Sequence, residues 1–386
     1  MTIVAAGQQA LGTVCGVKVV AASAWYPNER NGSIGTFVEK DVHAIARDHE
    51  VEVVHLVAPS LHDGGPRTEV QNGITVHRVP MSPSNLVDAW RAGRALRPYL
   101  DGADVVHTMA FPTLLPFAGG RPAAPWVHTE HWSGLTNPST LPAAWRAALP
   151  ILRRLLAKPD VITSVCEYLA APIRGARTGP VTIVPCIVPP VVPLVDRPER
   201  GDQVRLIGVG GLIERKDPLL ALATLGELRR RGVDASLTWV GDGPLRQQLE
   251  ESALEQGLAD RLVLTGPLGT AGVSAALSQS DLFLLPTRAD NFCVSAAEAI
   301  VHGRPVVVGS TGGQGEYITD QIGALVDHQD AGLYADAVLS VLDRTSGLSA
   351  AEIAGVIGDR FSEGTVAAGY DAAYRLAVEV RDADRA

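Results

Sequence analysis

The chain has little cysteine: Cys15, Cys166, Cys186 and Cys293 among 386 residues, with no paired spacing. That scarcity points away from a disulfide framework and towards a reducing, cytoplasmic setting. No long apolar run is present, so no membrane-spanning helix is expected. An excess of positive charge is also missing. The formal net charge is -9, which argues against nucleic acid as a partner, because phosphate backbones are held by basic patches. Residues 1–16 lack a basic segment and a cleavage site, and are expected to be a flexible extension rather than a signal peptide. The G-x-G-x-x-G spacing of dinucleotide sites is absent, so nothing points to a nicotinamide enzyme. No metal site is expected either. His128 and His131 fall on opposite faces at strand spacing, no third ligand accompanies them, and the one Asp-x-Asp, Asp382 to Asp384, lies in a tail expected to be frayed.

What is present is alternation. The length and a hydrophobic fraction of 46% allow two or three domains with sizeable cores. In the second half, apolar strands are expected over 204–209, 235–240, 262–264, 281–285 and 305–308, separated by amphipathic helices. One helix opens at Asp217-Pro218, an N-cap acid followed by proline, and is expected to turn Leu219, Leu222, Leu225 and Leu228 inwards. The next, over 244–258, is expected to do so with Leu245, Leu249, Ala253 and Leu254. In the first half, strands are expected over 17–22, 51–56, 74–79, 104–106, 126–129 and 161–164. This pattern predicts an α/β fold with doubly wound parallel sheets. The last helix, over 365–380, carries Val366, Tyr370 and Tyr374 at helical intervals.

The most informative run is Asp290, Asn291, Phe292, Cys293, Val294, Ser295, Ala296, Ala297, Glu298, two acids separated by seven residues where a strand gives way to a helix. Such a junction lies at the carboxyl edge of a parallel sheet, where open α/β folds bind ligands. The helix start offers unpaired N–H groups and the positive end of its dipole to a phosphate. Carboxylates accept hydrogen bonds from ribose and sugar hydroxyls while the amides hold a diphosphate, so the pattern suits a sugar nucleotide. Spacing alone also fits an exposed loop acid followed by a helix-surface glutamate.

These residues resemble the acid-x7-acid signature of retaining family-four glycosyltransferases of the GT-B fold. Asp290 matches the first acid, Phe292 the Phe, Cys293 the second Gly, and Glu298 with Ala299 the closing pair. Gly241-Asp242-Gly243-Pro244, Gly266-Pro267 and the run from Gly312 to Glu316 resemble further loops of the family, although ordinary turn chemistry explains the glycines singly. Lys216 matches a Lys that neutralises the donor diphosphate; Gly211 stands where the family has an Arg, and Arg215 is a candidate substitute beside Lys216. His131 matches a His that reaches the transferred sugar. The loop Asn31 to Gly35 matches one that contacts the donor phosphate or the acceptor. Val184-Pro185-Cys186-Ile187-Val188 resembles the interdomain hinge, with Cys186 in place of Asn and a proline-rich linker following from Pro189 to Pro198.

The resemblance implies a GT-B fold with two Rossmann-like doubly wound domains facing a cleft: an acceptor-side domain over 17–193, a nucleotide-sugar-binding domain over 194–360, and a helix over 361–386 crossing back. It implies a retaining, metal-independent hexosyltransferase that uses a UDP or GDP sugar and no cofactor. His131, Lys216 and Asp290 are the expected catalytic residues. Gly35, Arg215, Lys216, Asp290, Phe292, Cys293, Val294 and Glu298 are expected to bind the donor. The acceptor is a small molecule or glycan, a lipid-linked one included. A sugar-nucleotide 2-epimerase of the same architecture and a catalytically silent donor-binding partner subunit are the alternatives. Trp145, Arg146, Leu149, Leu152, Arg153, Arg154, Leu155 and Lys158 form a basic amphipathic stretch, either a core-packing helix with a solvated basic face or a peripheral contact with the inner membrane face.

Overall fold

The computed structural model describes residues 16–28, 34–61, 67–198 and 203–385. Residues 1–15 of the extension expected over 1–16, and Asn31, Gly32 and Ser33 of the first loop, lie outside the described residues. The first half runs β1 (Lys18–Ser23), α1 (Thr36–Ile45), β2 (Glu50–Val57), β3 (Thr68–Gln71), β4 (Ile74–Pro80), α2 (Leu86–Ala95), α3 (Arg97–Leu100), β5 (Val105–Met109), β6 (Trp126–Glu130), α4 (Ala143–Leu152), β7 (Val161–Ser164), α5 (Glu167–Arg174) and β8 (Val181–Ile183). The second half runs β9 (Gln203–Val209), α6 (Pro218–Arg230), β10 (Asp234–Val240), α7 (Arg246–Glu255), β11 (Leu262–Gly266), α8 (Thr270–Ser278), β12 (Leu282–Leu285), α9 (Val294–Val301), β13 (Val306–Gly309), β14 (Gly323–Val326), α10 (Ala331–Arg344), α11 (Ala350–Gly355) and α12 (Glu363–Ala383).

Two compact units result. Unit 1 comprises Met1–Thr129, Lys158–Thr163 and Ala367–Ala386; unit 2 comprises Glu130–Ala157 and Ser164–Val366. Residues 130–157 and 164–193 thus group with the later residues, whereas the sequence reading set them with residues 17–129.

In unit 1, strands run in the order β3-β4-β2-β1-β5-β6-β7. β1 pairs in parallel with β2 and β5, and the short edge strand β3 pairs antiparallel with β4. β1 is buried from Val19 to Ser23, as expected of a strand covered on both faces. From Ala367 onwards α12 belongs to this unit and buries Tyr370, Tyr374 and Ala377. His107 Nδ1 and the Tyr374 hydroxyl lie 2.8 Å apart, and the Arg381 guanidinium donates to Asp160 at 2.7 Å. α12 extends to Ala383, so Asp382 sits in regular helix rather than in a frayed tail.

Unit 2 carries a sheet of order β11-β10-β9-β12-β13-β14, with every neighbouring pair parallel. From β9 the chain winds outwards to β10 and β11, then returns to the other side of β9 with β12. The topological switch therefore falls between the carboxyl ends of β9 and β12, where a doubly wound sheet leaves a crevice.

Local chemistry accounts for the elements that flank this crevice. Asp217 caps α6 by accepting from the Leu220 amide at 3.3 Å, with Pro218 in the first helical position. The face α6 buries is Pro218, Ala221, Leu222, Leu225 and Leu228, and Leu219 is only half-buried. A three-residue spacing falls short of a full 3.6-residue turn, so four leucines so spaced drift around the helix and one end leaves the core. α7 departs further: Leu249 and Ala253 are buried, but Leu254 is 68% exposed, one residue on from Ala253 and so about 100° around the helix. In the stretch 145–158, Leu149 and Leu155 are buried, Arg153 donates to the Pro172 carbonyl at 2.8 Å, and Lys158 donates to the Ala118 carbonyl at 2.8 Å. Two of its cations thus close off backbone carbonyls. Among the described residues no helix is long and apolar enough to cross a membrane.

Candidate active site

The loops after β9, β12 and β13 converge at the switch point of unit 2. The first ends in a short 3-10 turn, Glu214–Lys216, leading into α6; the second runs from Pro286 to the start of α9; the third carries Gly312 and Gly313. Because β9 and β12 are neighbours, side chains more than seventy residues apart in the chain meet here. Lys216 Nζ donates to Asp290 Oδ2 at 2.5 Å. Arg215 Nη1 donates to the same oxygen at 3.1 Å and to the Ala289 carbonyl at 2.9 Å. Adjacent residues often point apart, but the 3-10 turn brings both cations onto one carboxylate. At Gly211, where the resembling family has an Arg, an added Cβ would meet its neighbours only at ordinary van der Waals distances.

Asp290 Oδ1 accepts from the Cys293 amide at 3.2 Å. Burial alone would raise the Asp290 carboxyl, but the charges of Lys216 and Arg215, with hydrogen bonds from Lys216 and Cys293, outweigh it and hold the pKa at about 2. The carboxylate is therefore charged at neutral pH and balanced by two cations. The third loop is pressed against its backbone: Gly312 has φ 140°, and a Cβ there would lie 1.9 Å from the Asp290 carbonyl oxygen. No side chain fits.

α9 follows directly. Cys293 is its N-cap residue, in the left-handed region at φ 60°, and the amides of Val294 and Ser295 fall in the first turn, where no acceptor exists within the helix. Val294 is half-buried. Phe292 is buried and its ring packs against Tyr317 and Phe361, with centroids 5.4 and 5.0 Å away, so what it offers a ligand is backbone. Burial pushes the Cys293 thiol up to about 11, which leaves it protonated and no nucleophile at neutral pH. Glu298 is half-buried in the second turn of α9. Among the described residues, no group of three or more His, Cys, Asp or Glu side chains is disposed to hold a metal ion.

His131 follows β6 and is half-buried. The buried Glu130 carboxylate accepts from the His131 and Trp132 amides at 2.9 and 2.7 Å, which fixes the turn. The His131 carbonyl accepts from Asn291 Nδ2 at 2.9 Å, while Asn291 Oδ1 accepts from the Thr136 hydroxyl at 2.7 Å. The residue next to Asp290 therefore ties the His131 loop to the acid motif. Sequence reasoning missed Asn291 and Glu130, because a lone amide and a lone acid carry no spacing signal; only their partners reveal them.

Gly35 belongs to unit 1, and its own surroundings account for it. It precedes α1 with φ 77°, and a Cβ would lie 2.5 Å from the Trp25 carbonyl carbon.

A cation pair, a charged carboxylate and a helix N-terminus at the switch point of a Rossmann-like sheet have the chemistry that suits a phosphorylated, nucleotide-type ligand. Residues 203–344 match the family of glycosyl transferases group 1, and residues 32–186 match the glycosyl transferase 4-like domain. Together these span most of the chain, which belongs to the family-four glycosyltransferases; it is a glycosyltransferase that draws on a sugar-nucleotide donor. The chain is 28% identical, over 84% of its length and 90% of the relative's, to a GDP-mannose-dependent alpha-(1-6)-phosphatidylinositol monomannoside mannosyltransferase of Mycolicibacterium smegmatis. It is 29% identical, over 80% of its length and 84% of the relative's, to a GDP-mannose-dependent alpha-mannosyltransferase of the same organism. Among solved structures, a sucrose-phosphate synthase from Thermosynechococcus elongatus superposes with a TM-score of 0.74 at 19% identity, covering 93% of this chain and 98% of that one. The fold is GT-B, with two Rossmann-like domains.

Proposed function

We propose that the enzyme transfers a hexosyl group, with retention at the anomeric carbon, from a guanosine diphosphate sugar to an acceptor hydroxyl, and that GDP-mannose is the donor. The convergence of Lys216, Arg215 and Asp290 beside the N-terminus of α9 carries this reading. The two cations and the Val294 and Ser295 amides neutralise the departing diphosphate electrostatically, without calling on a metal or any cofactor. Arg215 supplies the second charge that Gly211 cannot. Glu298 accepts from the ribose hydroxyls, Asp290 from hydroxyls of the transferred sugar, and His131 polarises that sugar. The acceptor oxygen bonds to the anomeric carbon on the face the phosphate leaves, the carbon–phosphate-oxygen bond breaks, and the acceptor proton passes to the phosphate.

The choice of GDP-mannose over a UDP sugar is supported by the two mannosyltransferases above. The acceptor we favour is a lipid-linked glycan met at a membrane surface. The monomannoside relative supports this, as does the outward face of α2, where Leu86, Val87 and Trp90 are exposed beside Arg91 and Arg94. The comparisons favour neither an epimerase nor a silent subunit.

The test is turnover. Incubation with GDP-mannose and a panel of glycan and glycolipid acceptors should release GDP and give an α-linked product by NMR. Lys216→Ala should lower turnover by roughly a hundredfold. Equally small effects from Lys216→Ala and Arg215→Ala would reduce both to a surface basic pair and refute the reading.

A further inference from the structure

Cys293 stands in a backbone conformation that its side chain opposes. With φ 60° and ψ 59° it is left-handed, a region in which Cβ crowds the backbone. Of the other described non-glycine residues with positive φ, Asn72 and Asp217 are types that tolerate it through their short polar side chains, and Ala110, with ψ 141°, lies outside the left-handed helical region. Cysteine has no such means. Something outside the residue must hold it.

Two groups do. On one side Asp290 Oδ1 accepts from the Cys293 amide at 3.2 Å. On the other, the buried Tyr317 hydroxyl shares its one proton between the carbonyls of Phe292, at 2.9 Å, and Cys293, at 2.7 Å. Tyr317 is itself fixed. Its ring packs against Phe292 and Phe361, with centroids 5.4 Å away in each case. The preceding residue, Glu316, accepts from the Glu167 and Tyr168 amides at the start of α5, at 3.0 and 2.9 Å. The segment 312–317 is thus a strap, anchored on α5 at Glu316 and reaching across to the motif loop with a single hydroxyl.

The Cys293 peptide also sets the direction of α9. Its carbonyl accepts from the Ala296 and Ala297 amides at 3.0 and 3.3 Å, the bonds that open the helix. A rotation of this peptide would swing the first-turn amides away from the crevice. We propose that Tyr317 is a positioning residue: its hydroxyl holds Cys293 left-handed and so aims the N-terminus of α9 at the donor diphosphate. This rests on the reading that the α9 amides and Lys216 take that diphosphate.

The coupling has a signature that packing lacks. Glycine adopts the left-handed region without strain, so a glycine at 293 should make the Tyr317 hydroxyl dispensable. GDP and UDP binding by calorimetry, and donor KM beside kcat, would be measured for Tyr317→Phe, Cys293→Gly, the double variant and Lys216→Ala. Tyr317→Phe should weaken nucleotide binding about tenfold, the scale of one hydrogen bond to backbone in a buried site, and raise donor KM. The double variant should recover most of that loss. If Tyr317→Phe does not fold alone, the double variant should fold and bind, because the strain is what the glycine removes. A double variant as impaired as Tyr317→Phe would show that the tyrosine acts by packing alone and would overturn the proposal. So would normal nucleotide binding in Tyr317→Phe while Lys216→Ala binds weakly. Normal binding in Lys216→Ala would instead bring down the underlying site reading.

Discussion

Asp290→Asn separates the two jobs assigned to the acid. In the ligand-free protein its carboxylate already holds the cations meant for phosphate, Lys216 at 2.5 Å and Arg215 at 3.1 Å. Its pKa lies at about 2, below the ordinary 3.8 despite burial that acts the other way, so the two cations favour the charged form. At 1.36 kcal/mol per unit this is on the order of 2 kcal/mol. A diphosphate arriving at Lys216 and Arg215 has to displace that interaction. Asparagine keeps the shape and the acceptor for the Cys293 amide but removes the charge. GDP and UDP should therefore bind the variant about tenfold more tightly, less than the whole interaction, since solvent and the nucleotide share the gain. Turnover should fall in the same variant, because a neutral amide accepts sugar hydroxyls less strongly. The pH dependence follows with a definite sign. A carboxyl whose folded pKa is depressed stabilises the fold above its unfolded pKa, and that contribution fades as pH falls from about 5 towards 2. The stability difference between wild type and variant, read from urea unfolding, should shrink over that window. Calorimetry with both nucleotides is the decisive assay. Nucleotide binding no tighter in Asp290→Asn than in wild type would refute the idea that the acid competes with phosphate for the two cations.

The other side chains make narrower predictions. Glu298→Gln should weaken GDP binding by about 1 to 3 kcal/mol if its carboxylate accepts both ribose hydroxyls, and unchanged affinity in calorimetry would rule that role out. His131→Ala should still bind nucleotide but transfer sugar about a hundredfold more slowly; turnover at the wild-type rate would remove the residue from the site.

Much of the fold is legible in the order of residues because secondary structure is periodic and its boundaries are chemical. Asp217 before Pro218 reads as a helix start, and it is one. The apolar runs over 204–209 and 126–129 read as strands and lie within β9 and β6. Short elements escape this reading. β14 has four residues and β3 is polar and at an edge, so neither offers enough positions to show a period. Leu254 misleads for the opposite reason: it extends a leucine pattern by one residue too many, and the helix turns it into solvent.

The spacing of Asp290 and Glu298 places one acid in the loop and the other in α9, and the sequence alone determines that, since both lie within one strand–loop–helix unit. Strand order decides the rest. Only a sheet in which β12 returns beside β9 brings Lys216 and Arg215 to Asp290 across seventy-odd residues. The bonds from Asn291 to the His131 carbonyl, 160 residues away, and from the Tyr317 hydroxyl to the Cys293 carbonyl are likewise tertiary. Propensity and capping act over a few residues, so they determine where each element begins. Which side chains meet at the sheet's carboxyl edge depends on burying both faces of a parallel sheet at once, and the folded chain alone settles it.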